Sequence, residues 1–90
     1  MHAVVGTVKI DDYETARKYL TENVIPGVKQ APGFVSGTWV APAEDGRGLS
    51  VVVFESEEAA KAAQERMQAM ADEAPVTIES VQIREVSGRA

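Results

Sequence analysis

The sequence predicts an α+β fold of order strand–helix–strand–strand–helix–strand, in which a four-stranded antiparallel sheet carries two helices on one face. Three observations predict it. The run Leu49-Ser50-Val51-Val52-Val53-Phe54 is short, rich in β-branched residues and apolar on both faces, and it sits between turn residues and a helix start. Two stretches, Ala16-Leu20-Val24-Val28 and Ala59-Ala60-Ala63-Met67-Met70, space their apolar residues at helical steps. Asp45-Gly46 is a turn signal between two runs of strand character, the mark of a hairpin.

The elements follow in order. The first strand covers about residues 2–10, with Val4, Gly6, Val8 and Ile10 on one face and Ala3, Val5 and Thr7 on the other. Asp11 is placed to cap the first helix, with Glu14 at the capping-box spacing. Pro26 lacks an N–H and crowds the preceding turn, so a kink or break is expected near residues 23–25, with a short second segment ending before Pro32-Gly33. The second strand runs from Phe34 to about Ala41, and residues 42–47 form the hairpin loop into the third strand.

Ser56 is a good N-cap, and Glu57 and Glu58 lie in the first turn, where the helix dipole favours negative charge. The small residues that begin this second helix imply close approach to the sheet, and Pro75 stops it. The last strand spans about residues 76–86. Its alternation slips, because Val76 and Ile78 share one parity and Val81 and Ile83 the other, so a bulge is expected near Ser80. Residues 87–90 read as a loose tail. The order βαββαβ is the ferredoxin-like split arrangement, filling a single domain over residues 1–90.

A ninety-residue chain buries only roughly 60–65% of its unfolded surface, so small domains lean on disulfides, metals or self-association. Cysteine is absent and His2 is the sole histidine, which leaves neither a disulfide nor a metal cluster. A net charge of −5 with scattered Lys and Arg speaks against nucleic acid and anionic membranes as partners. No apolar run approaches the ~20 residues of a membrane span, and no signal peptide is visible. A soluble cytoplasmic protein is therefore expected.

With both helices on one face, the other face of the sheet is bare in a monomer. The segment Arg47-Gly48-Leu49-Ser50-Val51-Val52-Val53-Phe54 follows the third-strand frame of an RNA-recognition module, but its stacking positions hold Leu49 and Val51, which offer no flat π-face to a base. That frame orients Leu49, Val51 and Val53 outward and Ser50, Val52 and Phe54 toward the helices. The outward triplet is too apolar for a solvated surface, and a second copy is the expected cover. Pressing two such faces together contributes on the order of 10 kcal/mol per subunit before association costs. Leu49, Val51 and Val53 are thus the candidate homodimer-interface residues.

The stretch Ile25-Pro26-Gly27-Val28-Lys29-Gln30-Ala31-Pro32-Gly33-Phe34-Val35-Ser36-Gly37, with the hairpin and the Ser-Glu-Glu-Ala helix start, resembles the dimeric α/β-barrel superfamily. That group includes antibiotic-biosynthesis-type monooxygenases, heme-degrading relatives and stress-responsive barrel proteins. The resemblance implies a dimer barrel of two sheets, a ligand cavity between sheet and helices, and cofactor-independent oxygenation of an activated phenol. It equally accommodates a non-catalytic stress-related or structural dimer. The second helix has no histidine, so the iron ligand of the heme-degrading branch is missing, and no cofactor or metal is expected.

The candidate pocket residues for a small apolar or aromatic ligand are Trp39, Tyr13, His2 and Arg84. Trp39 can stack on a ring or simply fill the interior. Tyr13 can close the helix-one end of a cavity. His2 has an imidazole suited to proton transfer at neutral pH. Arg84 can hold an anion or pair with Glu79 or Glu85. No phosphate loop, nucleophile elbow or metal-ligand spacing occurs.

Overall fold

A computed structural model describes all residues, 1–90. Strands β1 (His2–Lys9), β2 (Phe34–Val40), β3 (Arg47–Phe54) and β4 (Thr77–Glu85) form one antiparallel sheet in the order β2-β3-β1-β4. Helix α1 (Tyr13–Tyr19), a π-helical turn (Leu20–Val24) and α2 (Ile25–Lys29) make a continuous first arm, and α3 (Glu57–Ala69) is the second. This is the ferredoxin-like arrangement that the element order predicts.

The register settles which side chains share a face. β1 pairs with β3 without interruption from His2↔Phe54 to Lys9↔Arg47, so Val4, Val52 and Phe54 lie on the helix side, and all three are buried. Along β4, Ser80 pairs with Thr7 and Ile78 with Val8, which leaves Glu79 as the extra residue. This bulge explains the slipped alternation, because it returns Ile78 to the face of Val81 and Ile83. A second bulge was not expected. Phe34 pairs with Phe54 and Ser36 with Val53, so Val35 is unpaired and Phe34 joins Trp39 on the helix side. The Phe34 and Phe54 rings meet edge-to-face at 6.3 Å and 76°.

The helical arm corrects two expectations. Asp12, not Asp11, is the N-cap. Its extended backbone sets one carboxylate oxygen 3.2 Å from the Thr15 N–H, and the Thr15 hydroxyl donates to the other at 2.8 Å. At Pro26 the arm does not break. The Ile25 N–H donates to the Leu20 carbonyl, an i→i+5 bond, and the flanking residues keep right-handed helical dihedrals. The wider π turn makes room for the ring that would otherwise strike the carbonyl four residues back.

α3 begins as expected, with the Ala59 N–H donating to Ser56 Oγ at 3.1 Å. Its alanines let it lie directly on β1, β3 and β4, and Ala60 is fully buried. The first arm, faced with larger side chains, makes no comparable approach to the sheet. Gly33, at φ +78°, turns the chain into β2, and its carbonyl accepts the Glu55 N–H at 2.8 Å. Gly46, also at φ +78°, closes the hairpin loop, where Asp45 accepts the Arg47 N–H at 2.9 Å.

The two exposed loop and cap carboxylates have a consequence for acid stability. The hydrogen bonds from Thr15 hold Asp12 below its ordinary value of 3.8, and the Arg47 N–H does the same for Asp45. A group whose folded pKa is depressed stabilises the fold above its unfolded pKa, and that contribution disappears as pH falls through the folded value. Asp12→Ala and Asp45→Ala are therefore expected to lower Tm at neutral pH and to leave it unchanged well below pH 3.8, as followed by circular dichroism across an acid titration.

The outward face of the sheet divides into three zones. At one end Arg47 bridges to Glu79 at 2.5 Å and Lys9 reaches the Asp45 carbonyl. In the middle Val40, Leu49 and Val51 remain 49%, 46% and 36% exposed. At the far end Val53 is already 7% exposed in the single chain, which corrects the expectation of an open Leu49–Val51–Val53 triplet. The Val86 N–H binds the Met1 carbonyl and the Arg89 guanidinium reaches Ser36, the cross-strand partner of Val53. The terminal segment, expected to be loose, thus passes over that end of the sheet.

Candidate functional site

Where α3 lies down on the sheet and the first arm stands away from it, a space remains. It is a cavity of about 350 Å³, and 23 of its 28 lining residues are hydrophobic. That volume is within the range of sites that enclose small organic molecules. Phe54 and Val52 line it within the buried core they share with Val4, Ala31 and Ala60. Tyr13 on α1 and Met70 just after α3 also line it, and both are solvent-exposed, so they stand at the rim.

The floor includes Trp39 and Ser50, which stand in a cross-strand row that ends at Gly6. Ser50 on β3 pairs with Trp39 on β2 and with Gly6 on β1, all facing the helices. The indole lies back over Gly37, where a Cβ would come within 2.6 Å of it. On the other side, a Cβ on Gly6 would lie 2.7 Å from Ser50 Oγ and 3.2 Å from the end of Met67. Two absent side chains therefore seat the indole and clear the hydroxyl. Ser50 is only 5% exposed, and none of the side-chain hydrogen bonds of the protein involves its Oγ. His2 Nδ1 is the one fully buried side-chain nitrogen or oxygen without a partner, so Ser50 Oγ keeps contact with the cavity, where an oxygen or nitrogen of a bound molecule can meet it.

Of the four pocket candidates read from the sequence, the structure brings two to the cavity. Trp39 is in its floor and Tyr13 is at its rim. His2 is not among the lining residues. It sits at the start of β1, with Nε2 3.6 Å from Glu57 at the head of α3 and Nδ1 buried without a partner. Arg84 pairs with Ala3 on the outward face, where its guanidinium donates to Gln82 at 2.9 Å. Position in the strands decides both cases: His2 lies at the closed end of the sheet, and Arg84 has the wrong parity.

Sequence reasoning oriented Ser50 toward the helices but gave it no role, because a serine among valines carries no motif. It also passed over Arg17 on α1 and Arg66 on α3, which line the cavity from opposite arms. The cavity contains no Asp, Glu, Lys or His, and no group of carboxylates or histidines anywhere in the chain is placed to hold a metal. Its ionisable side chains are the two arginines and Tyr13 and Tyr19.

The fold and the cavity define a ferredoxin-like chain with a partly open, mostly apolar cavity on the helix side of its sheet. No protein-family model matches the sequence, and no curated protein matches it. Solved structures do match. HapK from Hahella chejuensis superposes with a TM-score of 0.72 at 12% identity over 100% of this chain and 96% of that one. A monooxygenase from the ActVA-Orf6 gene of Streptomyces coelicolor, crystallised with nanaomycin D, gives 0.67 at 20% identity, covering 99% of this chain and 89% of that one. A dimeric ferredoxin-like protein from an uncultured marine organism gives 0.65 at 12% identity, covering 100% and 98%. At these identities the likeness is one of fold. It is the fold of antibiotic-biosynthesis-monooxygenase-like and dimeric ferredoxin-like proteins, as the sequence resemblance implies.

Proposed function

We propose that this protein is a homodimer that binds a small aromatic molecule between sheet and helices and oxygenates it without a cofactor, the substrate being an activated phenol. The observation that carries the binding half is the cavity of about 350 Å³ over the Trp39–Ser50 floor. An indole presents a flat face for ring stacking, and the buried hydroxyl beside it offers one hydrogen bond. The chemical half is supported by the shared fold with the Streptomyces monooxygenase. In such chemistry the ring anion reduces O2, one oxygen atom bonds to the ring carbon, and the other leaves as water when the hydroperoxide collapses to a quinone. The protein then supplies shape, desolvation and hydrogen bonds.

One observation favours a second, non-catalytic reading. The cavity has no carboxylate and no histidine to remove a proton from a substrate. A dimeric binding module needs neither.

The dimer is supported by the uncovered centre of the outward face and by the dimeric ferredoxin-like neighbour. Native mass spectrometry of protein taken from its own host reads both properties together. The expected spectrum holds a dimer with a retained small molecule. A purified sample incubated with 1-naphthol adds the chemistry, since enzyme-dependent formation of 1,4-naphthoquinone carrying one oxygen atom from O2, the other leaving as water, separates catalysis from binding. Trp39→Leu is expected to weaken binding by about two- to tenfold while leaving the fold intact, because a stacked aromatic pair is worth about 0.5–1.5 kcal/mol beyond its area. Unchanged affinity in that variant would remove Trp39 from the site.

A further inference from the structure

A second hollow lies beside the main cavity. It is an open groove along the β2 edge of the sheet, with Ile25 and Lys29 of α2 on one bank and Phe34 and Thr38 of β2 on the other. Only Leu20 and Trp39 line both this groove and the main cavity. Leu20 begins the π turn and Trp39 belongs to β2, so each layer of the fold contributes one side chain to the boundary. The π turn also presents Ile25 to the groove, through the bond from its N–H to the Leu20 carbonyl.

The indole is held against the strand at this boundary. Gly37 stands two residues before Trp39 on the same face, and its position leaves a recess in the edge strand. A Cβ there would lie 2.6 Å from the indole Cη2 and 2.8 Å from Cζ3. The ring already rests on the backbone, so it has no room to retreat toward the sheet when a ligand presses on it. Beside it the first arm stands off from the strands, so backbone does not close the gap between arm and sheet.

We propose that Trp39 and Leu20 form a partition that fixes the length of the ligand. The cavity takes a compact, fused-ring molecule, and a molecule with one further ring in line is stopped at the indole. This rests on the binding half of the proposed function and adds a size limit to it. Forcing the extra ring against a seated indole is overpacking, which displaces side chains from their preferred rotamers. The groove beyond holds Ile25 and Phe34, an apolar surface that receives the further ring once the partition is lowered.

The test compares 2-naphthol with 6-phenyl-2-naphthol by calorimetry, in the absence of O2 so that binding alone is read. The wild-type protein is expected to bind the longer compound no more tightly than the shorter. Leu20→Ala lowers the partition from the arm and Trp39→Ala lowers it from the sheet, each variant being checked for fold by circular dichroism. Both are expected to bind the longer compound about tenfold more tightly than 2-naphthol, the return on burying roughly half of the added ring. The ratio of the two affinities is the readout, because the stacking lost in Trp39→Ala affects both compounds alike. Gly37→Ala is expected to act in the opposite sense, since its Cβ lifts the indole off the strand and into the cavity, and 2-naphthol itself then binds more weakly. A wild type that gains about tenfold from the added ring overturns the partition and leaves the cavity standing. So does the absence of a gain in both partition variants. A wild type that binds neither compound removes the binding half of the proposed function, and the partition with it.

Discussion

Phe54→Ala is expected to lower the unfolding free energy by about 3–5 kcal/mol, the cost of removing a buried aromatic ring and leaving a cavity behind it. Phe54 is the one large side chain with no exposed surface. It ends β3, pairs with His2 and Phe34 on either side, and packs in the cluster that joins β1 and β3 to Ala31 and to Ala60 of α3. Collapse around the missing ring is restricted, because Ala60 and Ala31 are already small and the backbones are already close. For a domain whose stability lies within the usual range of about 5–15 kcal/mol, the loss is a large fraction of the total. Urea unfolding monitored by circular dichroism measures it. A loss below about 1 kcal/mol would mean that the cluster repacks or is not the core.

Leu49→Asp is expected to convert the proposed dimer into a monomer without unfolding it. Leu49 is 46% exposed in the single chain and stands between Val40, its partner on β2, and the outward residues of β1. A carboxylate there is hydrated in the monomer and costs the fold little. In a face-to-face dimer the same carboxylate is removed from water opposite an apolar surface, at a cost of several kcal/mol. Sedimentation velocity at micromolar concentration is expected to give a single monomer boundary for the variant and a dimer for the wild type. The choice of Leu49 over Val53 matters, since Val53 is covered within its own chain. A wild-type monomer would remove the dimer from the proposed function while leaving the cavity, which one chain builds alone.

Most of the architecture was legible before any coordinates, and for a definite reason. Periods of two and 3.6 record which face of each element is buried. The third-strand frame placed Ser50, Val52 and Phe54 toward the helices, the slipped parity of Ile78 and Val81 revealed the β4 bulge, and the capping chemistry of Ser56 set the start of α3. What escaped was local geometry that leaves the periodicity ambiguous. The Val35 bulge moves Phe34 onto the face of Trp39, a π turn absorbs Pro26, and the cap falls at Asp12, whose extended backbone sets its carboxylate beside the Thr15 N–H.

The site divides the same way. The sequence by itself determined the order of the elements and the apolar character of both sheet faces, and it offered Trp39 and Tyr13 among four candidates for a ligand pocket. Only the tertiary structure decided that a cavity exists, that Arg17, Arg66 and Ser50 border it, and that His2 and Arg84 do not. The physical reason is that a hydrophobic pattern specifies direction but not separation. The alanine face of α3 seats that helix on the sheet, the bulkier first arm stands off, and the volume left between them is a property of both helices together.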